Sequence, residues 1–199
     1  MVFAEWLRAG IGSGRVTSRY PKGSFGDEPE LAYLEALPAV NSREGAMGRD
    51  EADWAQMAKK VQRLFGKSLH LRHLDVGSCN ACESEVLSLS NPYYNIHRLG
   101  IFFTASPRHA DALLVTGALT HAMKPILLET YEAMPKPRLV IATGVCAVHG
   151  GLFADSPEFA GPVDQFVPVD AWIAGCPPHP FAIINGLIEA VEGRNVRHG

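Results

Sequence analysis

The stretch Gly77-Ser78-Cys79-Asn80-Ala81-Cys82 holds two of the chain's four cysteines, three positions apart, straight after an apolar run. The other two stand alone, Cys146 in "GVCAVHGG" and Cys176 in "GCPPHP". A thiol pair at that spacing serves disulfide exchange, zinc binding or iron–sulfur chemistry. Composition narrows the setting. The 199 residues carry a formal net charge of −3, with 47% hydrophobic and 20% charged residues. That describes a globular chain long enough for one domain with a core and some residues to spare. No basic excess suggests nucleic acid. No stretch is apolar enough to span a bilayer. The start, "MVFAEWLRAG", lacks the features of a secretory signal. A cytoplasmic setting is therefore expected, where thiols stay reduced and cysteines serve as ligands or nucleophiles rather than staples.

The elements that must position these thiols begin near Leu69. Residues 1–68 form a polar, broken extension, with Gly, Ser and Pro through "RAGIGSGRVTSRYPKGSFGDEPE" and one expected amphipathic helix. Asp50 caps that helix, Trp54, Met57, Ala58, Val61 and Leu64 follow helical spacing, and Gly66 ends it. Lys59, Lys60 and Arg63 lie opposite, as a solvated face or one suited to a membrane surface. Residues 69–199 then alternate. Strands are expected at "LHLRHLDV", "HRLGIFFT", "DALLVTG", "RLVIATG" and "AWIAG". Helices are expected through "ESEVLSLS", "THAMKPILLETYEAM" and "PHPFAIINGLIEAVEG". Such alternation predicts an α/β domain: a mostly parallel sheet with helices on both faces.

Each cysteine site follows an expected strand, and Cys82 stands one turn beyond Cys79. Parallel strands end at the same edge, where α/β sheets place their ligands, so the four thiols are expected to converge. Glycines at each exit, Gly77, Gly144, Gly150, Gly151 and Gly175, allow sharp turns beside a bulky group. Pro177 and Pro178 stiffen the chain after Cys176. Zinc sites built from four cysteines usually draw on two such pairs, whereas a 4Fe–4S cluster suits ligands from separate strand ends. A redox-active pair and four small buried cysteines without a ligand remain open alternatives.

"GSCNACESEV", "GVCAVHGG" and "GCPPHP", in this order, resemble the small subunit of NiFe hydrogenases and the homologous terminal-cluster subunit (the 20 kDa subunit) of respiratory complex I. The resemblance covers roughly residues 69–193. It implies a flavodoxin-like domain holding one 4Fe–4S cluster through Cys79, Cys82, Cys146 and Cys176. The complex I subunit typically has two adjacent cysteines in the first motif; the spaced Cys79 and Cys82 are the form seen in hydrogenases. Uptake hydrogenases carry a further cluster domain and an export signal, neither of which is expected for this chain. The resemblance therefore points to the energy-converting, formate hydrogenlyase-like group. "GRVTSRYP" is also similar to a stretch of the ferredoxin-like subunits of those complexes.

What the resemblance implies is a non-catalytic electron-relay subunit of an oxidoreductase. It would pass electrons between a ferredoxin-like subunit and the NiFe site of a large subunit. Membrane-embedded subunits would hold the complex on the cytoplasmic face of the inner membrane. The alternative is the equivalent subunit of a complex I-like or nickel-free oxidoreductase. A zinc or scaffold protein on the same fold is the rival from another class. Glu83 and Glu85 are the neighbours expected to tune the cluster or line a proton route, and His149 is the one expected to donate to a sulfide or gate electron flow. A helix dipole explains the two carboxylates without function, and a loop contact does the same for His149. His179 reads as a surface or partner contact, Tyr93 and Tyr94 as packing.

Overall fold

The computed structural model describes residues 55–56, 58–59, 62–63 and 68–197. Five strands, β1 (Leu69–Asp75), β2 (Ile101–Phe103), β3 (Ala112–Thr116), β4 (Leu139–Thr143) and β5 (Ala171–Ile173), form one sheet. Every pairing is parallel, in the order β2-β1-β3-β4-β5. This is the doubly wound order of flavodoxin-like folds. β3 and β4 are buried at all five positions, which their continuous apolar runs require of central strands.

Four helices complete the domain: α1 (Ala81–Ser88), α2 (Lys124–Ala133), α3 (Val145–His149) and α4 (Pro180–Arg197). One face of the sheet, through Leu71, Leu114 and Ile141, packs under Val86 of α1 and Ile184 and Leu187 of α4. The other, through Leu113, Val115 and Val140, packs against Leu127 of α2. Each fully buried Leu or Ile contributes roughly 1.5–3 kcal/mol by leaving water. Strand entrances are pinned by carboxylates. The Asp111 side chain accepts the His70 N–H at 3.0 Å, and Asp170 accepts the Val140 N–H at 2.9 Å.

Two expectations change. The strand expected over 97–104 is confined to Ile101–Phe103, because Ile96–Leu99 forms a 3-10 turn ended by Gly100 at φ 77°. The chain after β4 does not simply run into a loop: Cys146 lies in the short helix α3. In the extension, residues 55–56, 58–59 and 62–63 are helical. Ala58 packs against the core, while Lys59 and Arg63 are exposed. Trp54, Met57, Lys60, Val61 and Leu64 lie outside the described residues, as do residues 1–54.

Candidate metal centre

Three strand exits deliver the four thiols. At the end of β1 the Asp75 carboxylate accepts the N–H groups of Gly77 at 2.8 Å and Ser78 at 2.9 Å, which turns the chain off the strand. The Ser78 hydroxyl accepts the Asn80 N–H at 3.0 Å, and Asn80, at φ 71°, opens α1. Cys79 is thereby exposed on the turn, and Cys82 is buried in the first turn of α1. At the end of β4 the chain enters α3 and buries Cys146. At the end of β5 it passes Gly175 to the exposed Cys176.

Backbone hydrogen bonds tie the exits together. Gly144 N–H donates to Ile173 O at 2.8 Å and Val145 N–H to Gly175 O at 3.0 Å, joining the β4 and β5 exits. Ala118 N–H donates to Gly77 O at 3.1 Å, joining those of β1 and β3. The sulfurs press on this backbone. A Cβ at Gly144 would stand 2.6 Å from Cys82 Sγ, and one at Gly151 would stand 2.9 Å from Cys146 Sγ. These glycines leave room for sulfur that no side chain would.

All four cysteines are free thiols that act on one another. Burial, then Glu83 and the other three cysteines, pushes the Cys82 thiol up to about 12. Burial, then Cys176 and Cys79, pushes Cys146 up to about 11, against the opposing pull of a hydrogen bond from the Leu152 N–H. Burial and Cys79 raise Cys176. Such a group resists ionisation until a cation offsets its mutual repulsion. Four thiols converging with no neutralising side chain among the described residues thus fit a positively charged iron–sulfur core, which binds them as thiolates. Among the described residues no three His, Cys, Asp or Glu side chains are grouped to hold a single metal ion.

The expected neighbours separate. Glu83 is buried beside Cys82; Thr116 Oγ1 donates to its Oε1, and Ser78 Oγ donates to its Oε2 at 2.6 Å. Burial and two hydroxyl partners give it more than a dipole contact. Glu85 lies toward Tyr94, whose phenol is raised by burial, Tyr93 and Glu85. His149 is half-buried on α3, where Gly151 N–H reaches its Nδ1 at 3.4 Å, so the neutral ring carries its proton on Nε2. His179 is exposed and stacks on Phe181 at 5.7 Å, with Tyr94 packed at 6.0 Å from His179.

Sequence reasoning missed Asp75, Ser78, Thr116 and His73. His73 Nε2 lies 2.9 Å from Thr116 Oγ1 and 3.9 Å from Glu83 Oε1. The signal for Thr116 was a hydroxyl closing the otherwise apolar run "ALLVT". Thr143, its partner in register on β4, likewise closes "LVIAT", and its buried hydroxyl has no hydrogen-bond partner among the described residues.

Comparison with known proteins agrees with this arrangement of motifs. The family profile of the "NADH ubiquinone oxidoreductase, 20 Kd subunit" matches residues 79–190, a span that takes in all four cysteines. The chain is 39% identical over 140 residues to the probable membrane-bound hydrogenase subunit mbhJ of Pyrococcus furiosus, covering 69% of this chain and 84% of that one. It is 40% identical over 137 residues to formate hydrogenlyase subunit 7 of Escherichia coli, covering 69% of this chain but 52% of that relative, about half its length. It is similar to a chain in the structure of the membrane-bound sulfane sulfur reductase, an archaeal respiratory membrane complex. There the identity is 33% and the TM-score 0.57, covering 69% and 76% of the two chains. The chain therefore belongs to the family of the NADH ubiquinone oxidoreductase 20 kDa subunit and the NiFe hydrogenase small subunit.

Proposed function

We propose that this chain is the electron-transfer subunit of a membrane-bound hydrogenase complex, holding one 4Fe–4S cluster through Cys79, Cys82, Cys146 and Cys176. The observation that carries the reading is the convergence of four free thiols from three parallel strand ends. When bound, such a cluster supplies one-electron chemistry. The chain's own residues set its surroundings. Asp75 and Ser78 hold the loop of Cys79 and Cys82, the Leu152 N–H donates toward Cys146, and Glu83 places a carboxyl beside Cys82. Together these groups tune the potential.

Cys79 and Cys176 are exposed, and Leu152, whose N–H reaches Cys146, is 70% exposed, so this side of the cage suits a partner. The partners proposed are a NiFe large subunit, a ferredoxin-like subunit and membrane-embedded subunits. Among the described residues no helix is long and apolar enough to cross a membrane. Attachment to the cytoplasmic face of the inner membrane would come through the complex. Residues 1–68 would serve as an arm of residues 69–199, the cluster-binding domain. The second reading is the equivalent subunit of a complex I-like or nickel-free oxidoreductase, and the likeness to a sulfane sulfur reductase, an archaeal respiratory membrane complex, favours a respiratory role of this kind.

The test is metal analysis of the tagged chain, purified anaerobically from its host with its partners. Iron with nickel is expected. Iron without nickel favours the second reading. Zinc alone, or no metal, contradicts both.

A further inference from the structure

One face of the sheet is short of a helix at its β2 edge. Crossovers between parallel strands are right-handed. That puts α1, which links β1 to β2, on one face and the return from β2 to β3 on the other, the face of α2. Such a crossover normally takes a dozen or more residues, usually with a helix. Here residues 104–111 make it with only the 3-10 turn Pro107–His109. The β1–β2 part of that face therefore lacks its crossover helix.

The residues standing there are aromatic and cationic. His70 and Phe102 pair in register and stack at 6.0 Å. Arg72, two positions beyond His70, shares their face, and its register partner Leu113 belongs to the core under α2. Phe102 is 36% exposed. Arg72 Nε is shut off from water and has no hydrogen-bond partner among the described residues. A guanidinium N–H held in that way is costly until an acceptor meets it. The neighbouring chain supplies little negative charge. Residues 54–74 and 92–110, which β1 and β2 bring side by side, hold seven Lys and Arg and no Asp or Glu. Arg108 and His109 are exposed on the β2–β3 connection. The Asp111 carboxylate accepts the His70 N–H at 3.0 Å.

We propose that this face is the docking surface for an acidic helix of a partner subunit, which takes the place of the missing crossover helix. This rests on the reading above that the chain works within a complex. An apolar side chain of that helix packs on Phe102, and a carboxylate accepts from Arg72 in the paired geometry that guanidinium favours. Charge selects this occupant: a neutral or basic helix would leave Arg72 Nε buried and unpaired. The surface lies at the β2 edge, whereas Cys146 and Cys176 leave the sheet from β4 and β5. Docking here is therefore independent of what the cysteines hold.

The experiment places p-benzoylphenylalanine at Phe102 in the anaerobically purified complex. Irradiation is expected to join it to a partner subunit, at a helical peptide carrying Asp or Glu. Arg72→Glu should then raise the dissociation rate of that subunit by roughly tenfold or more, and replacing the partner's carboxylate by Arg should restore it. Rescue by the exchanged pair separates docking from misfolding. The cross-link needs no change at Arg72, so it decides even where that variant fails to fold. A cross-link within this chain, to lipid, or to a peptide without Asp or Glu overturns the inference. So does the absence of any cross-link in a complex that still holds its partners, or a folded Arg72→Glu with unchanged dissociation. A chain that purifies with no partner at all contradicts the subunit reading as well.

Discussion

Gly144 occupies a position that only glycine fits. Its φ of 88° disfavours any side chain, and the Cβ of an alanine would stand 2.6 Å from Cys82 Sγ. Gly144→Ala is expected to lower bound iron per chain while far-ultraviolet circular dichroism stays near wild type. The thiols give a second prediction at this scale. Cys82 and Cys146 are raised to about 12 and about 11, so they are protonated at neutral pH until metal binds. Loading must release those protons and is therefore favoured as pH rises toward those values. Reconstitution of the metal-free chain with iron and sulfide should reach a higher yield at about pH 8 than at about pH 6; a yield independent of pH would contradict the raised values. The four cysteines were legible in the sequence because their strand context is local. The contacts of Thr116 were not. Its partners Glu83 and His73 lie 33 and 43 positions away, separations that only the sheet register closes.

At the scale of elements, the sheet acts as the ruler for the thiols. Leu114 is fully buried in β3, between the strands that carry Cys79 and Cys146. Leu114→Ala leaves a cavity there and is expected to cost about 2–5 kcal/mol of stability. Urea unfolding of the chain should show it as a lower midpoint at an unchanged slope. The buried strands β3 and β4 were readable because five apolar residues in a row leave few other choices. The region from Ile96 to Gly100 was not. Its apolar residues match a strand, but Asn95 and Gly100 take left-handed conformations that fold it into a turn. The short helix α3 was hidden for a similar reason: five residues show no helical period. Strand order could not be read from the alternation of elements either, since parallel units with the same local sequence pattern can be wound on either side.

At the scale of the whole molecule, the proposed cage would be open on one side. Cys79 and Cys176 are exposed while Cys82 and Cys146 are buried. A cluster held by this chain alone would meet solvent through that side. The chain separated from its partners is therefore expected to bleach in air faster than the intact complex, followed by visible absorbance. Equal rates would mean that no partner covers the open side. Metal-free protein should also show faster alkylation at Cys79 and Cys176 than at the two buried thiols, measured by mass spectrometry of the peptides.

The most direct test of the account is iron and acid-labile sulfide per chain in anaerobically purified protein, for wild type and the four single Cys→Ala variants. The account predicts about four of each in wild type and loss of cluster in every variant. Zinc in place of iron, or a variant that keeps the full complement of iron and sulfide, would contradict it.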